Sequence, residues 1–294
     1  MFENIQTDEE IHELCRKYEI SNYTINEDKS IDVDGSVRLV GGALHKLPLN
    51  FRNVIGYFNC SRNNLTTLEG APEILGSYFD CYNNNLTTLE GAPETVGGDF
   101  GCYDNNLTTL KGSPRIVSGD FYCFNNNLTT LEGTPRRVDG NFNCRNNRLT
   151  TLEGAPRRVS GYFFCYDNNL TTLEGAPETV GSNFDCGSNN LETLEGAPRR
   201  VDGNFICADN KNLMSLEGIS TIYGNLYCHD TPVFYFWKEF LNRDKSLIDS
   251  FVEEWDVIHE DTVIIEVLEG WMEDNNINKE INIEKIKSLG YKIG

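Results

Sequence analysis

Ten cysteines and four histidines are the side chains in this sequence that could hold a metal, carry electrons or attack a substrate. Nine of the cysteines, from Cys60 to Cys228, recur every 21 residues. That spacing offers no C-x-x-C pair for zinc. A redox chain or a string of metals would be the functional reading of such a column. A stack of small, weakly polar core residues is the structural reading, and the surrounding residues favour it. His12, His45, His229 and His259 are scattered and lie near no nucleophile and acid with which they could form a catalytic set. The chain has no G-x-x-x-x-G-K-[ST], G-x-S-x-G or H-E-x-x-H. Asp28, Ser30, Asp32, Asp34 and Gly35 echo a calcium loop without its closing Glu. The expectation is therefore no catalytic residue, no metal, no cofactor and no enzyme.

What positions the cysteines is a repeat. One unit runs from Val96 to Pro114, and its apolar places Val96, Phe100, Cys102, Leu107 and Leu110 return with the same period. Each unit is expected to give one short parallel strand at Phe-x-Cys, then a turn and a return without a strand. Stepping by 21 from Val37 gives ten strand positions, ending at Leu226. The frame slips by one residue near Lys211 and recovers before Tyr223. Asn63, Asn84, Asn105, Asn126, Asn147, Asn168, Asn189 and Asn210 should stack as a ladder whose amides satisfy backbone groups in the turn. The glycines from Gly70 to Gly218 suit the return turn.

The run F-x-C-x-x-N-x-L fits the leucine-rich-repeat consensus, with Phe and Cys in its first two Leu places. The chain resembles leucine-rich-repeat proteins of the short, 21-residue bacterial type. Asp32-Val33-Asp34-Gly35 followed by tandem NNLTTLEGAP units resembles repeat proteins encoded by bacteriophages and AT-rich bacteria. The resemblance implies an α/β solenoid, a leucine-rich-repeat arc of about ten parallel short strands. Bacterial effectors of similar design carry a ubiquitin-ligase domain with a nucleophilic Cys after the repeats; no Cys follows Cys228 here.

A solenoid needs caps. Residues 1–36 read as an N-terminal cap: Thr7 and Glu10 form a capping-box pattern ahead of Ile11, Leu14, Cys15 and Tyr18 on one helical face. Residues 37–230 form the solenoid. Residues 231–294 read as a small helical cap domain of four segments. These start at Pro232, around Leu247 to Trp255, over Asp261 to Glu273, and over Asn282 to Leu289 with Gly290 as the stop.

Lys and Arg number 25 against 45 Asp and Glu, a net charge of −20, which argues against a nucleic-acid partner. The two ends each carry −7 and the solenoid −6, an arrangement that suits solubility and discourages end-to-end stacking. The apolar runs are too short to span a bilayer, and the acidic start is unlike a signal peptide. A cytoplasmic monomer is expected, in a host cell's cytoplasm if a phage encodes it.

Comparing units column by column shows where the sequence varies. The columns flanking Phe and Cys change most, and in this architecture they line the concave face. Eight of the thirteen tyrosines fall there, a concentration that marks a binding surface for another protein; the resemblance to phage-encoded repeats implies a bacterial host protein. The candidates are Tyr57, Tyr78, Tyr82, Tyr103, Tyr122, Phe124, Arg145, Tyr162, Phe164 and Tyr166. The bland alternative is cross-strand packing of aromatics. A second candidate is an edge patch for phosphate or an acidic partner: Arg136, Arg137, Arg157, Arg158, Arg199 and Arg200. These arginines could also screen the Glu column that includes Glu132, Glu153 and Glu174. The competing functional readings are a small, nucleotide-like ligand stacked on the aromatics and a virion component.

Overall fold

The computed structural model describes residues 7–219, 221–240, 258–259, 262–274 and 281–294. The repeats coil into a solenoid whose Phe strands, from Val37–Arg38 to Leu226–Tyr227, form one ten-stranded sheet. Every pairing in it is parallel and in register by 21 residues, as in Phe121↔Phe142. The slip near Lys211 is absorbed within its own unit, because Phe205 still pairs with Leu226 and Val201 with Ile222.

The return is not strandless, contrary to the sequence expectation. The units carry a second short strand, of two residues in all but Phe51–Val54, such as Thr95–Val96, and these join two strands of the N-terminal segment in an eleven-stranded sheet on the other flank. A strand of two residues shows no alternation in sequence, and its hydrogen bonds all go to neighbouring units. We call the two the Phe sheet and the Val sheet, after their inward residues.

Between the sheets lie continuous columns of buried side chains. Consecutive rings from Phe58 to Phe205 sit 5.1–5.6 Å apart, centroid to centroid. The nine repeat cysteines are buried, all free thiols, and burial pushes their pKa up, for Cys228 to about 12. Several thiols donate to the carbonyl one unit on, as Cys165 Sγ does to Asp185 O at 3.3 Å. The column thus behaves as core, not as a row of nucleophiles.

The Asn ladder is a set of identical clamps. Asn105 Nδ2 donates to the carbonyls of Cys81 and Cys102 at 3.0 and 3.1 Å, while its Oδ1 accepts the Leu86 N–H at 3.0 Å. The residue before each ladder Asn adopts positive φ, from Arg62 at 56° to Asp209 at 59°. Asn and Asp tolerate that conformation best, which accounts for their frequency in this column.

At the N-terminus, helix α1 (Asp8–Lys17) starts at the capping box of Thr7 and Glu10 and buries Ile11 and Cys15. Strands Tyr23–Ile25 and Ile31–Val33 pair antiparallel, and the second joins the Val sheet beside Phe51–Val54. Asp28 accepts from Ser30, and Asp32 accepts from Arg52 Nε at 3.1 Å and Asn53. The calcium-like run is thereby occupied in holding this cap.

At the other end, Thr231 caps helix α2 (Pro232–Phe240), which buries Val233 and Phe236. The third expected helix is shorter than proposed. Thr262–Val263 is a strand between Ile258–His259 and Lys292–Ile293, and helix α3 spans Ile265–Asp274. The C-terminal segment is thus mixed rather than purely helical. Helix α4 (Ile283–Ser288) begins at Asn282 and ends before Gly290, where φ is 97°. Tyr291 packs on Phe236 and donates to Met214 O at 2.6 Å, seating this segment on the last units. The segment from Leu247 to Trp255 lies outside the described residues. No helix among the described residues is long and apolar enough to cross a membrane.

Candidate functional site

Alternation along each Phe strand turns the residue before Phe, the residue between Phe and Cys, and the residue after Cys outward. Three columns therefore run the length of this face. The column after Cys holds a continuous stack. Tyr82, Tyr103 and Phe124 lie face to face at 4.5 and 4.4 Å, and the Arg145 guanidinium sits 4.7 Å over Phe124 and 5.5 Å over Tyr166. Arg145 also donates to the Tyr166 hydroxyl. Arg62 extends the stack, 5.8 Å over Tyr82, from the turn position just before the ladder Asn63, which the sequence comparison did not single out.

Three more candidates join from the other columns. Tyr122 meets Phe124 edge-on at 6.3 Å, Phe164 meets Tyr166 edge-on at 6.2 Å, and Tyr162 stacks on Phe164 at 5.3 Å. The structure thus brings eight of the ten named residues into one surface, while Tyr57 and Tyr78 form a separate stacked pair at 4.7 Å. Most of these rings are half-buried by one another, and Tyr162 is the most exposed of them at 39%. Stacking raises the Tyr103 phenol to about 12, through burial first and the neighbouring Tyr82 second.

The column before Phe is not free to vary, as the sequence comparison held. Its short polar side chains reach the next unit's backbone: Asp99 Oδ1 accepts the Asp120 N–H at 2.8 Å, Asp120 accepts that of Asn141 at 2.6 Å, and Asn141 that of Tyr162 at 2.8 Å. Ser36, Asn183 and Asn204 do the same. A tyrosine cannot make this bond, since its hydroxyl lies beyond reach of the backbone. Tyr57, Tyr78 and Tyr162 therefore forgo a bond worth about 1 kcal/mol each that Asn would supply.

Carboxylates lie among the aromatics. Tyr122 donates its hydroxyl to Asp120, and Asn59 Nδ2 donates to Asp80 at 3.1 Å. Desolvation, helped by the charge of Asp99, pushes the Asp80 carboxyl up to about 6. Its unfolded value is near 3.9, so the folded state binds the proton more tightly. Ionised Asp80 therefore destabilises the fold above about pH 6, and the penalty fades as pH falls towards 4. Asp80→Asn should raise the melting temperature at pH 7.5 and leave it unchanged near pH 4. Equal shifts at both would overturn this assignment.

The edge arginines are all exposed and belong to the Val sheet and its approach. Among the described residues they make no direct ion pair with the Glu column. Arg137, Arg157 and Arg200 pair instead with Asp139, Glu178 and Asp202 at 2.5, 2.9 and 2.6 Å.

Two further places could take a ligand. Asp209, His229 and Asp230 offer ligand atoms within 4.8 Å of one another, a grouping hidden in the sequence by the 21-residue fold-back. Lys211 already places its ammonium 2.8 Å from Asp209, and Tyr235 donates its hydroxyl to Asp230, so both carboxylates already have a partner. An open groove of about 920 Å³ lies between the last units and the C-terminal segment, lined by Glu192, Glu217, Lys211 and Met214 among others.

The sequence matches no known family pattern and no curated protein. Among solved structures, the chain is similar to YopM from Yersinia enterocolitica WA-314, with a TM-score of 0.46 and 19% identity over 67% of this chain. The matched region spans about half of that protein, 47% of its length.

Proposed function

We propose that this protein is a non-enzymatic scaffold that seats a protein partner on the aromatic face of the Phe sheet. The observation that carries this is the run Tyr82, Tyr103, Phe124, Arg145 and Tyr166, ordered by stacking and open along its edges. Its rings are fixed before any partner arrives, so binding costs little side-chain entropy. Tyr and Arg together supply apolar area with polar handles. The three tyrosines that replace a stabilising Asn or Asp in the column before Phe support the same reading, since local stability alone would not favour them. A solenoid also presents such a surface over a long span, which suits an extended protein.

The ring faces are in contact with one another at 4.4–4.7 Å, which leaves no slot for a nucleobase. A small nucleotide-like ligand is therefore the weaker reading. The resemblance of the NNLTTLEGAP units to phage-encoded repeats supports a finer role: a factor that occupies and inhibits a host protein, such as a defence component.

The test is a pull-down from bacterial lysate with the wild-type chain beside a Tyr122→Ser, Phe124→Ser, Tyr166→Ser variant that melts alike. A protein retained by wild type and lost, by about tenfold or more, from the variant is the expected result. Equal retention by both would remove the aromatic face from the mechanism.

A further inference from the structure

The Val sheet has an outward face of its own, and its composition differs from that of the Phe sheet. Ile74, Thr95, Ile116, Arg137 and Arg158 occupy one column on successive units. Arg115, Arg136 and Arg157 stand in the column beside it, tied by bonds such as Arg157 N–H to Arg136 O at 2.9 Å. Two of the largest exposed aliphatic surfaces in the described chain, Ile74 at 57% and Ile116 at 56%, thus share a face with five exposed arginines on three adjacent units; Ile116 lies beside them, and Ile74 two units away, where Glu73 and Glu94 hold the neighbouring column. Ile55, 66% exposed, lies at the aliphatic end of the same face.

This arrangement contributes little to the fold. The inward Val residues make the core, and an Ile half-open to water on a sheet face contributes little to it. Arg137 and Arg157 hold exposed ion pairs with Asp139 and Glu178, with guanidinium side chains 70% and 73% exposed, so a partner's carboxylate can replace them at small cost. Arg115, Arg136 and Arg158 have no carboxylate within ion-pair reach among the described residues.

We propose that this face binds an acidic peptide segment, its aliphatic residues on Ile74 and Ile116 and its carboxylates on the arginines of the next two units. The span from Ile74 to Arg158 is four units, or about 19 Å at a strand spacing of about 4.8 Å, which about six extended residues cover. Guanidinium groups pair with carboxylates through two parallel hydrogen bonds, which gives such a segment a defined seat. A nucleic acid would engage the arginines but leave the isoleucines uncovered. It would also meet the field of a chain carrying −20, which weighs more against a long polyanion than against a short peptide. The surface lies on the opposite sheet from the aromatic stack, so it stands or falls independently of that site.

Fluorescence anisotropy on the full chain tests the proposal, using a labelled peptide in which three leucines precede three glutamates. Wild type should bind it, with affinity that falls as salt rises. Arg137→Glu with Arg158→Glu should weaken binding about tenfold or more, and Ile74→Ser with Ile116→Ser about threefold or more. The Tyr122, Phe124, Tyr166 triple Ser variant should bind as wild type does. If charge reversal lowers the melting temperature, Arg137→Gln with Arg158→Gln takes its place. No binding at millimolar peptide, or equal binding by the Arg variants, overturns the proposal. So does tighter binding of a DNA duplex, which would assign the face to nucleic acid. Sedimentation that shows self-association lost in the Arg variant would assign it to a second copy of the chain and overturn the proposal too.

Discussion

Asn126→Ala is expected to lower the unfolding free energy by about 3 kcal/mol or more, read as a shift in the urea midpoint. The side chain is buried, and its Nδ2 donates to the carbonyls of Cys102, Cys123 and Phe124 at 3.2, 3.1 and 3.3 Å. Its Oδ1 accepts the N–H of Leu107 at 3.0 Å. Truncation leaves these backbone groups inside the turn with no water to replace the amide, and each unsatisfied group costs about 1–3 kcal/mol. Asn126→Asp should not rescue the fold, because a carboxylate would keep the Leu107 bond while facing three carbonyl oxygens. The adjacent Asn127 provides the control: its backbone N–H bonds Leu107 O at 2.9 Å, a bond that Ala retains. Asn127→Ala should therefore cost less than about 0.5 kcal/mol. Similar losses at both positions would mean that the ladder does not carry the stability assigned to it.

Gly175→Ala is expected to be at least as damaging, by about 3 kcal/mol or more, or to prevent folding. Gly175 has φ of 84°, and a Cβ there would lie 2.4 Å from Glu153 N and 2.5 Å from Leu152 C. Those atoms are backbone of the preceding unit, so relief requires the two turns to part and the bond from the Leu152 N–H to Glu174 O, 2.8 Å long, to lengthen. Gly41 separates the two causes of strain. Its φ is 72°, yet a Cβ there meets nothing within 4 Å, so Gly41→Ala should show only the conformational cost of about 1 kcal/mol. Comparable melting temperatures for the two variants would show that close packing of turns is not what demands glycine.

The Phe sheet was legible in the sequence because, between its two end strands, the inward residues are fixed letters at a fixed period. Phe100, Cys102, Asn105 and Leu107 each show their inward direction by recurring unchanged. The Val sheet was not, since Thr95–Val96 is too short to alternate and the residue at its outward position ranges from Ile74 to Arg158. Its partners are one unit away, so no single unit reveals them. The same blindness affected the column before Phe. Asp99, Asn141 and Ser36 look unrelated as letters, yet each offers one acceptor to the backbone N–H one unit on. Variation in identity there concealed constancy in function. The aromatic candidates were visible as a concentration of tyrosine, but that Tyr103, Phe124 and Arg145 would stack face to face follows only from the in-register pairing of their strands. At the C-terminus, Val263 fitted a helical spacing but entered a strand through pairing with Ile293, a partner thirty positions away in sequence.

The clamps, ring stacks and backbone bonds all run from one unit to the next, and each step is nearly a copy of the last. The molecule is in this respect a ruler with graduations of about 4.8 Å. Duplicating or deleting one unit of 21 residues would lengthen or shorten both faces by a single graduation while every remaining joint kept its form. Reach can then change through whole-unit steps, and the lettering of each graduation can change through one or two outward residues. Size and recognition are thereby inherited separately, by a chain whose interior hardly needs to notice either change.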